Sequence, residues 1–265
     1  LDLRITHTTT YAYDQPVSYA LQRLHLRPQS NVMQTVLDWS LEVEGGVVEL
    51  TCDDHHGNIM DLVNTTRGAT ELKVTASGTV RTQDKAGVMG KVYGAAPLWH
   101  FTQQTRLTEP SKAIRALARP LKTSDNPLRD LHGTSAAILN AVPYATGQTY
   151  TETTADEALA GGAGVCQDHA HIMIAAARAA GMPARYVSGY LLLDDRIDQD
   201  ASHAWAEVHL PTLGWVGFDV SNGISPDMRY VRIAIGRDAR DAAPIQGVRM
   251  GPGDESLIVT LQVQQ

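Results

Sequence analysis

Along the first hundred residues, apolar side chains recur at every second position. Leu37, Trp39, Leu41 and Val43 alternate with polar neighbours, and Leu72, Val74 and Ala76 repeat the pattern. This is the periodicity of a strand with one buried face. Turn residues separate such runs, at Gly45-Gly46 and at His56-Gly57-Asn58, and short strands at this spacing predict a sandwich or small barrel. The period then changes. Pro110 stands where a first helical turn tolerates it, with Ile114 and Leu117 on one helical face. Asn126-Pro127 supplies a cap and a first helical residue, and helical character runs to about Asn140. Thr154 to Glu157 has the spacing of a capping box, and the short helix it opens is stopped by Gly161-Gly162. A fourth helix starts near Cys166, carries Ile172, Met173, Ile174 and a run of alanines, and ends at Gly181 before Pro183. Strand character returns at 184–193, 203–210, 214–220, 230–235 and 257–263. Helices followed by an antiparallel sheet, after a β domain, predict an α+β protein rather than alternating α/β.

At 265 residues the chain has room for one large or two modest domains at roughly 150 residues each. The change of period divides it into a sandwich-like β domain over residues 1–100 and a helix-plus-sheet domain over 101–265. The net charge of −7 argues against nucleic acid or an anionic membrane surface as partner. No apolar run reaches the roughly 18 residues of a bilayer-spanning helix. Leu1 to Thr10 lacks a charged-then-apolar leader, so no signal peptide is read there. With only Cys52 and Cys166 present, a disulfide framework is excluded, and a cytoplasmic location is the expectation.

The densest chemistry lies at Gly161-Gly162-Ala163-Gly164-Val165-Cys166. A glycine-rich loop enters a buried helix with a cysteine at the junction. Unpaired N–H groups and the positive end of the helix dipole favour thiolate at such a position, although a lone cysteine is also commonly a small buried hydrophobe. A thiol nucleophile needs a base, and the base an orienting group. Strand alternation places His203, Trp205, Glu207 and His209 on one face, and Trp215 and Asp219 on one face of the next strand. If the two strands form a hairpin with Val208 opposite Gly214, His203 lies opposite Asp219. A slip of two residues leaves them diagonal neighbours.

Gly164-Val165-Cys166-Gln167-Asp168, Ala201 to Val208 and Gly214 to Asp219 resemble the Cys, His and Asp motifs of the transglutaminase-like superfamily. In order and spacing they are similar to its bacterial cysteine-protease-like branch. That branch carries an N-terminal β domain, and residues 7–17 and the Asp53 to Asn58 turn resemble its opening strand and its Asp-His-Gly-Asn-type turn. The resemblance spans essentially the whole chain. It implies a papain/transglutaminase-like core of helices packed on an antiparallel sheet, with Cys166 as nucleophile, His203 as general base and acid, and Asp219 as the group that orients the imidazole. There are two departures: Val220-Ser221-Asn222 stands where the family usually has Pro-Thr-Asn, and His169 where an aromatic residue is usual. The first should alter the turn more than the chemistry, and the second should make the wall of the site more polar and pH-sensitive.

The implied reaction is acyl transfer on amide bonds of peptides or proteins through a thioester, with hydrolysis preferred to crosslinking. The Cys166 N–H is the first oxyanion donor. Gln167, Tyr144 and Trp205 are candidates for a second, and Trp205 and Trp215 for walls of a substrate channel. No cofactor is implied. Cys166, Asp168, His169, His171 and His203 are ligand types, but they lack the paired spacing of a metal site. Asp53-Asp54-His55-His56 reads as a solvated turn, and no metal is expected. Asp194 to Asp200 lacks the spaced ligands and glycine of a calcium loop and reads as a mobile flap. A non-catalytic peptide-binding module of the same fold is the alternative, since fold alone does not exclude it. The N-terminal β domain is a candidate surface for a protein partner.

Overall fold

Strand β1 (Asp2–Tyr13) buries every odd-numbered side chain from Leu3 to Tyr13, and that one face joins two cores. Leu3 and Ile5 pack into the helical half of the molecule, whereas Tyr11 and Tyr13 pack into a sandwich with a second sheet. His7, between them, shares a hydrogen bond of 2.9 Å with the Tyr190 hydroxyl of the other half. The computed structural model behind this description covers residues 1–92 and 94–265.

The chain continues through β2 (Tyr19–Leu24), β3 (Gln34–Glu44), β4 (Gly46–Asp53), β5 (Ile59–Thr65), β6 (Glu71–Thr82) and β7 (Val88–Gly90). Two 3-10 turns, Leu98–Thr102 and Arg106–Thr108, lead to α1 (Lys112–Leu117), α2 (Arg119–Lys122), α3 (Pro127–Ala141), α4 (Ala155–Gly161) and α5 (Cys166–Ala179). Then come β8 (Ala184–Leu191), β9 (Asp198–Gln199), β10 (His203–Leu210), β11 (Gly214–Phe218), β12 (Tyr230–Gly236), β13 (Ile245–Met250) and β14 (Glu255–Gln264). Three antiparallel sheets result, in the orders β3-β6-β1-β14-β9, β13-β2-β5-β4 and β12-β8-β10-β11-β7. The first two form the sandwich, and the third carries the helices.

These sheets do not divide at residue 100. β7 joins the third sheet beside β11, while β13 and β14 return to pair with β2 and β1. The alternation of Leu257, Val259, Leu261 and Val263 marks a strand without naming its partner, and the partner lies more than 240 residues away. Leu37 also departs from its expected face. A bulge between Val36 and Asp38 shifts the register, so Leu37 points to solvent while Trp39, Leu41 and Val43 stay half-buried. The acidic stretch expected to hang free as a flap is tied at β9, which pairs with β14, and the Gln199 side chain donates to the Leu191 carbonyl at 2.9 Å.

Helix α5 is buried on every side from Asp168 to Arg178, its polar members Asp168, His169, His171 and Arg178 included. Its alanines at 175–177 and those at 204 and 206 in β10 share one core, so small side chains let helix and sheet approach closely. Its C-terminal end is clamped by Arg178. The guanidinium donates to the carbonyls of Phe101 (2.9 Å), Ala184 (2.8 Å) and Arg237 (2.8 Å) and to the Thr108 hydroxyl (3.1 Å). Burial lowers this arginine to about 9, yet the negative helix end and the carbonyls around it suit a cation. Among the described residues, no helix is long and apolar enough to cross a membrane.

Candidate active site

The loop before α5 is fixed by its own helix. Asp168, in the first turn, accepts from the Val165 N–H at 2.8 Å and from the Thr149 hydroxyl at 2.6 Å, satisfying one of the donors a helix start leaves unpaired. Gly164 gives the room. A Cβ there would lie 2.8 Å from Asp168 Oδ2 and 2.9 Å from its Cβ. Gly164→Ala is therefore expected to displace the Asp168 cap, destabilising the fold by about 1–3 kcal/mol and lowering thiol reactivity. Thermal melts with iodoacetamide labelling check this, and unchanged values for both would remove the glycine from the argument. Cys166 follows as the first residue of α5, half-buried with its thiol free.

His203 begins β10, and its Nε2 stands 2.6 Å from Asp219 Oδ2. The hairpin register is the one slipped by two: Val208 pairs with Val216, not Gly214, and Leu210 pairs with Gly214. The turn at Pro211 to Leu213 is thus tighter than the simplest pairing assumed. His203 and Asp219 meet as diagonal neighbours, because a two-residue slip preserves which face each occupies.

Asp219 is fully buried and surrounded by donors. Its Oδ2 also accepts from Asn222 Nδ2 at 2.7 Å and from the Tyr230 hydroxyl at 2.7 Å, and Oδ1 takes the Asn222 N–H at 3.3 Å. Burial opposes the charge, but the His203 contact and these donors outweigh it and hold the carboxyl below the ordinary aspartate range. The same balance acts on His203. Burial alone would lower it, yet hydrogen bonds to Asp219 and Cys166 and their negative charges raise it to about 10. With Nε2 committed to Asp219, Nδ1 is the nitrogen left for the thiol.

The turn after Asp219 brings the two family departures together. His169 Nδ1 accepts from the Ser221 hydroxyl at 2.8 Å, and Nε2–H donates to the Val142 carbonyl at 2.7 Å. Burial lowers this imidazole further. His169 is therefore a neutral strut between α5, the end of α3 and the 219–224 turn, not the pH-sensitive wall its polarity predicted.

Other candidates are placed as follows. The Gln167 amide is tied to the Thr151 carbonyl at 3.0 Å. Trp205 and Trp215 are buried in the apolar cluster that also holds Val187 and Ile235. Trp205 packs edge-on to Tyr230, and Arg185 covers Trp215 at 3.9 Å, so both are packing residues rather than channel walls. Tyr144 is about half exposed. Partial burial raises its phenol, followed by the negative charges of Cys166 and Asp219, and a parallel bridge pairs Tyr144 with Gly164, two residues before Cys166. Sequence reading missed Tyr230, Asn222 and Asp168 as supports of the site. Asn222, three residues beyond Asp219, and Asp168, three beyond Val165, sit at capping distances; Tyr230 comes from another strand and carries no local signal.

The Asp53 to His56 turn is not solvated throughout. His56 is buried against His100 and Phe101, because Asn58 anchors the turn to β12 through reciprocal 2.8 Å bonds with Ile235. Burial and neighbouring His55 lower His56 to about 4, and burial lowers His100.

Comparison with known proteins agrees with this architecture. Residues 115–220 match the family model of the transglutaminase-like superfamily, and residues 3–81 match that of the bacterial transglutaminase-like N-terminal region. An uncharacterized protein of Mycobacterium tuberculosis is 31% identical over 96% of this chain and 90% of its own length. One from Mycobacterium leprae is 27% identical over 98% of each. The crystal structure of a candidate cysteine protease from Cytophaga hutchinsonii superposes with a TM-score of 0.79 at 25% identity, over 99% of this chain and 90% of that one.

Proposed function

Because this chain belongs to the transglutaminase-like superfamily, we propose that it is a thiol-dependent acyl-transfer enzyme that hydrolyses amide bonds in peptides or proteins. One observation carries the reading: His203 Nε2 stands 2.6 Å from the buried carboxylate of Asp219, and the Cys166 thiol at the start of α5 is among the groups that raise this imidazole. The likeness to a candidate cysteine protease supports hydrolysis over crosslinking.

In this reaction His203 Nδ1 takes the Cys166 proton, and the thiolate attacks the amide carbonyl carbon. Negative charge moves to the carbonyl oxygen, which the Cys166 N–H meets because the first turn of a helix has no intrahelical acceptor. The imidazolium gives its proton to the departing amine as the C–N bond breaks. The thioester then takes water, whose proton passes to His203, and the acid leaves with the thiol restored. Asp219 holds Nε2–H throughout and neutralises the imidazolium.

Tyr144 is the second donor to the carbonyl oxygen. Tyr144→Phe is expected to lower kcat by about 10²-fold with little change in KM. Equal kcat for variant and parent would remove it from the oxyanion site.

The deciding experiment is iodoacetamide labelling of Cys166 against pH, read by mass spectrometry, with half-buried Cys52 as internal control. Labelling that persists well below pH 7 at Cys166 alone is the expected result, and His203→Gln should abolish that advantage. Ordinary labelling at both cysteines would favour a binding module. Peptide amides offered with and without a primary amine then separate hydrolysis from crosslinking, since only the latter incorporates the amine.

A further inference from the structure

Apart from the thiol site, the described residues bring three imidazoles to one point. His55 and His56 sit in the turn between β4 and β5, and His100 in the 3-10 turn Leu98–Thr102, and one ligand nitrogen from each lies within 4.8 Å of the others. Nε2 of His56 and Nε2 of His100 are 3.1 Å apart. Asp241 lies beside this cluster, its Oδ2 being 3.7 Å from His56 Nε2. In tetrahedral zinc with Zn–N bonds of about 2.0–2.1 Å, neighbouring ligand atoms are separated by about 3.4 Å. The 3.1 Å between His56 and His100 is close to that edge. We propose that His55, His56 and His100 bind Zn²⁺ and so fasten the sandwich to the helical half of the molecule.

The competing account is a histidine–histidine hydrogen bond. It explains two rings, since one N–H and one lone pair satisfy each other. It leaves the third imidazole at the same point unexplained. Three convergent imidazoles and one water suit the tetrahedral coordination of zinc, and imidazole-rich sets select zinc and its first-row neighbours over calcium or magnesium. Asp241 stands outside this set as a neighbouring carboxylate: its Oδ2 accepts from the Arg237 backbone N–H at 3.0 Å and from Arg237 Nε at 3.1 Å. Arg237 is the nearby cation that a bound metal must tolerate, and its pairing with Asp241 moderates that repulsion.

The site's neighbours give it a purpose. The turn that holds His56 is bonded to β12 through Asn58, and His100 precedes Phe101, whose carbonyl accepts from Arg178 of α5. A metal here would link the sandwich turn, the connecting segment and the seat of the central helix. It fastens the end of α5 remote from Cys166, so its effect should fall on stability and not on the chemical step.

The test uses the full chain carrying Cys166→Ala, so that the thiol site cannot take the metal. After chelator treatment and dialysis, Zn²⁺ alone is titrated calorimetrically and Tm is followed. One Zn²⁺ per chain with sub-micromolar affinity and a raised Tm is expected. Adding His55→Gln and His100→Gln should weaken binding by about 100-fold or more and remove the Tm gain, whereas His203→Gln should change neither. Absence of binding, or equal affinity after the double substitution, overturns the proposal. If the double variant does not fold, Co²⁺ on the Cys166→Ala chain decides. Strong visible bands of tetrahedral nitrogen and oxygen coordination uphold the site, and the weak bands of hydrated cobalt refute it.

Discussion

Cys166→Ala is expected to abolish amide turnover, a loss of about 10⁴-fold or more, with the fold unchanged. The magnitude follows from the covalent route: without the sulfur there is no thioester, and what remains is binding and oxyanion stabilisation alone. The fold should tolerate the change because Cys166 supplies no cap to α5. Asp168 does that from three residues on, and alanine is at least as good a helix former. Steady-state rates, circular dichroism and a thermal melt measure both halves of the expectation. Intact-mass spectra of the parent mixed with an activated ester should show one acyl adduct per chain, absent from the variant. Turnover near the parent rate would exclude Cys166 as nucleophile.

Much of the site was legible because its chemistry is written in local patterns. The glycine-rich run before Cys166 marks a loop entering a helix, and strand alternation puts His203 and Asp219 on matching faces whichever even register the hairpin adopts. That parity explains why the His–Asp contact survived a wrong pairing of Val208. What could not be read depends on contacts far apart in sequence. β14 closes on β1, Tyr230 reaches Asp219 from β12, and His100 reaches His56 across 44 residues. A period of two identifies a strand but not its neighbour, so residues 257–263 looked like part of the last sheet when they belong to the first. His169 illustrates a different gap. As a residue type it signals titration, but burial with both nitrogens bonded makes it a fixed neutral link. Whether a polar residue titrates or braces is decided by what surrounds it, and that surrounding is tertiary.

Asp219→Asn should be nearly as damaging as loss of the base, at about 10²–10⁴-fold in kcat, and it should move the pH dependence in a stated direction. Every neighbour of the carboxylate donates: His203 Nε2 and the groups of Asn222 and Tyr230. An asparagine amide must therefore turn its NH₂ towards one donor or another. Turned towards His203, it makes Nε2 the acceptor and leaves the proton on Nδ1, facing the thiol, where it blocks the proton transfer that starts the reaction. Turned away, it opposes Asn222 and loosens the turn. Either way the negative charge is gone. In the parent, His203 is raised to about 10 because Asp219 and Cys166 overcome burial. A raised folded-state value contributes stability that is complete below about pH 6.5, the unfolded histidine value, and disappears as pH rises through about 10. The parent should accordingly keep its imidazolium, and the reactivity that depends on it, well above neutrality. In Asp219→Asn, burial is no longer opposed by the carboxylate, so the alkaline limb of kcat/KM should shift to lower pH and the low-pH labelling of Cys166 should weaken. The His203 Cε1–H resonance, followed by NMR across pH 5–11, gives the same quantity without turnover. An identical titration in parent and variant would mean that Asp219 braces the turn and does not set the charge on His203.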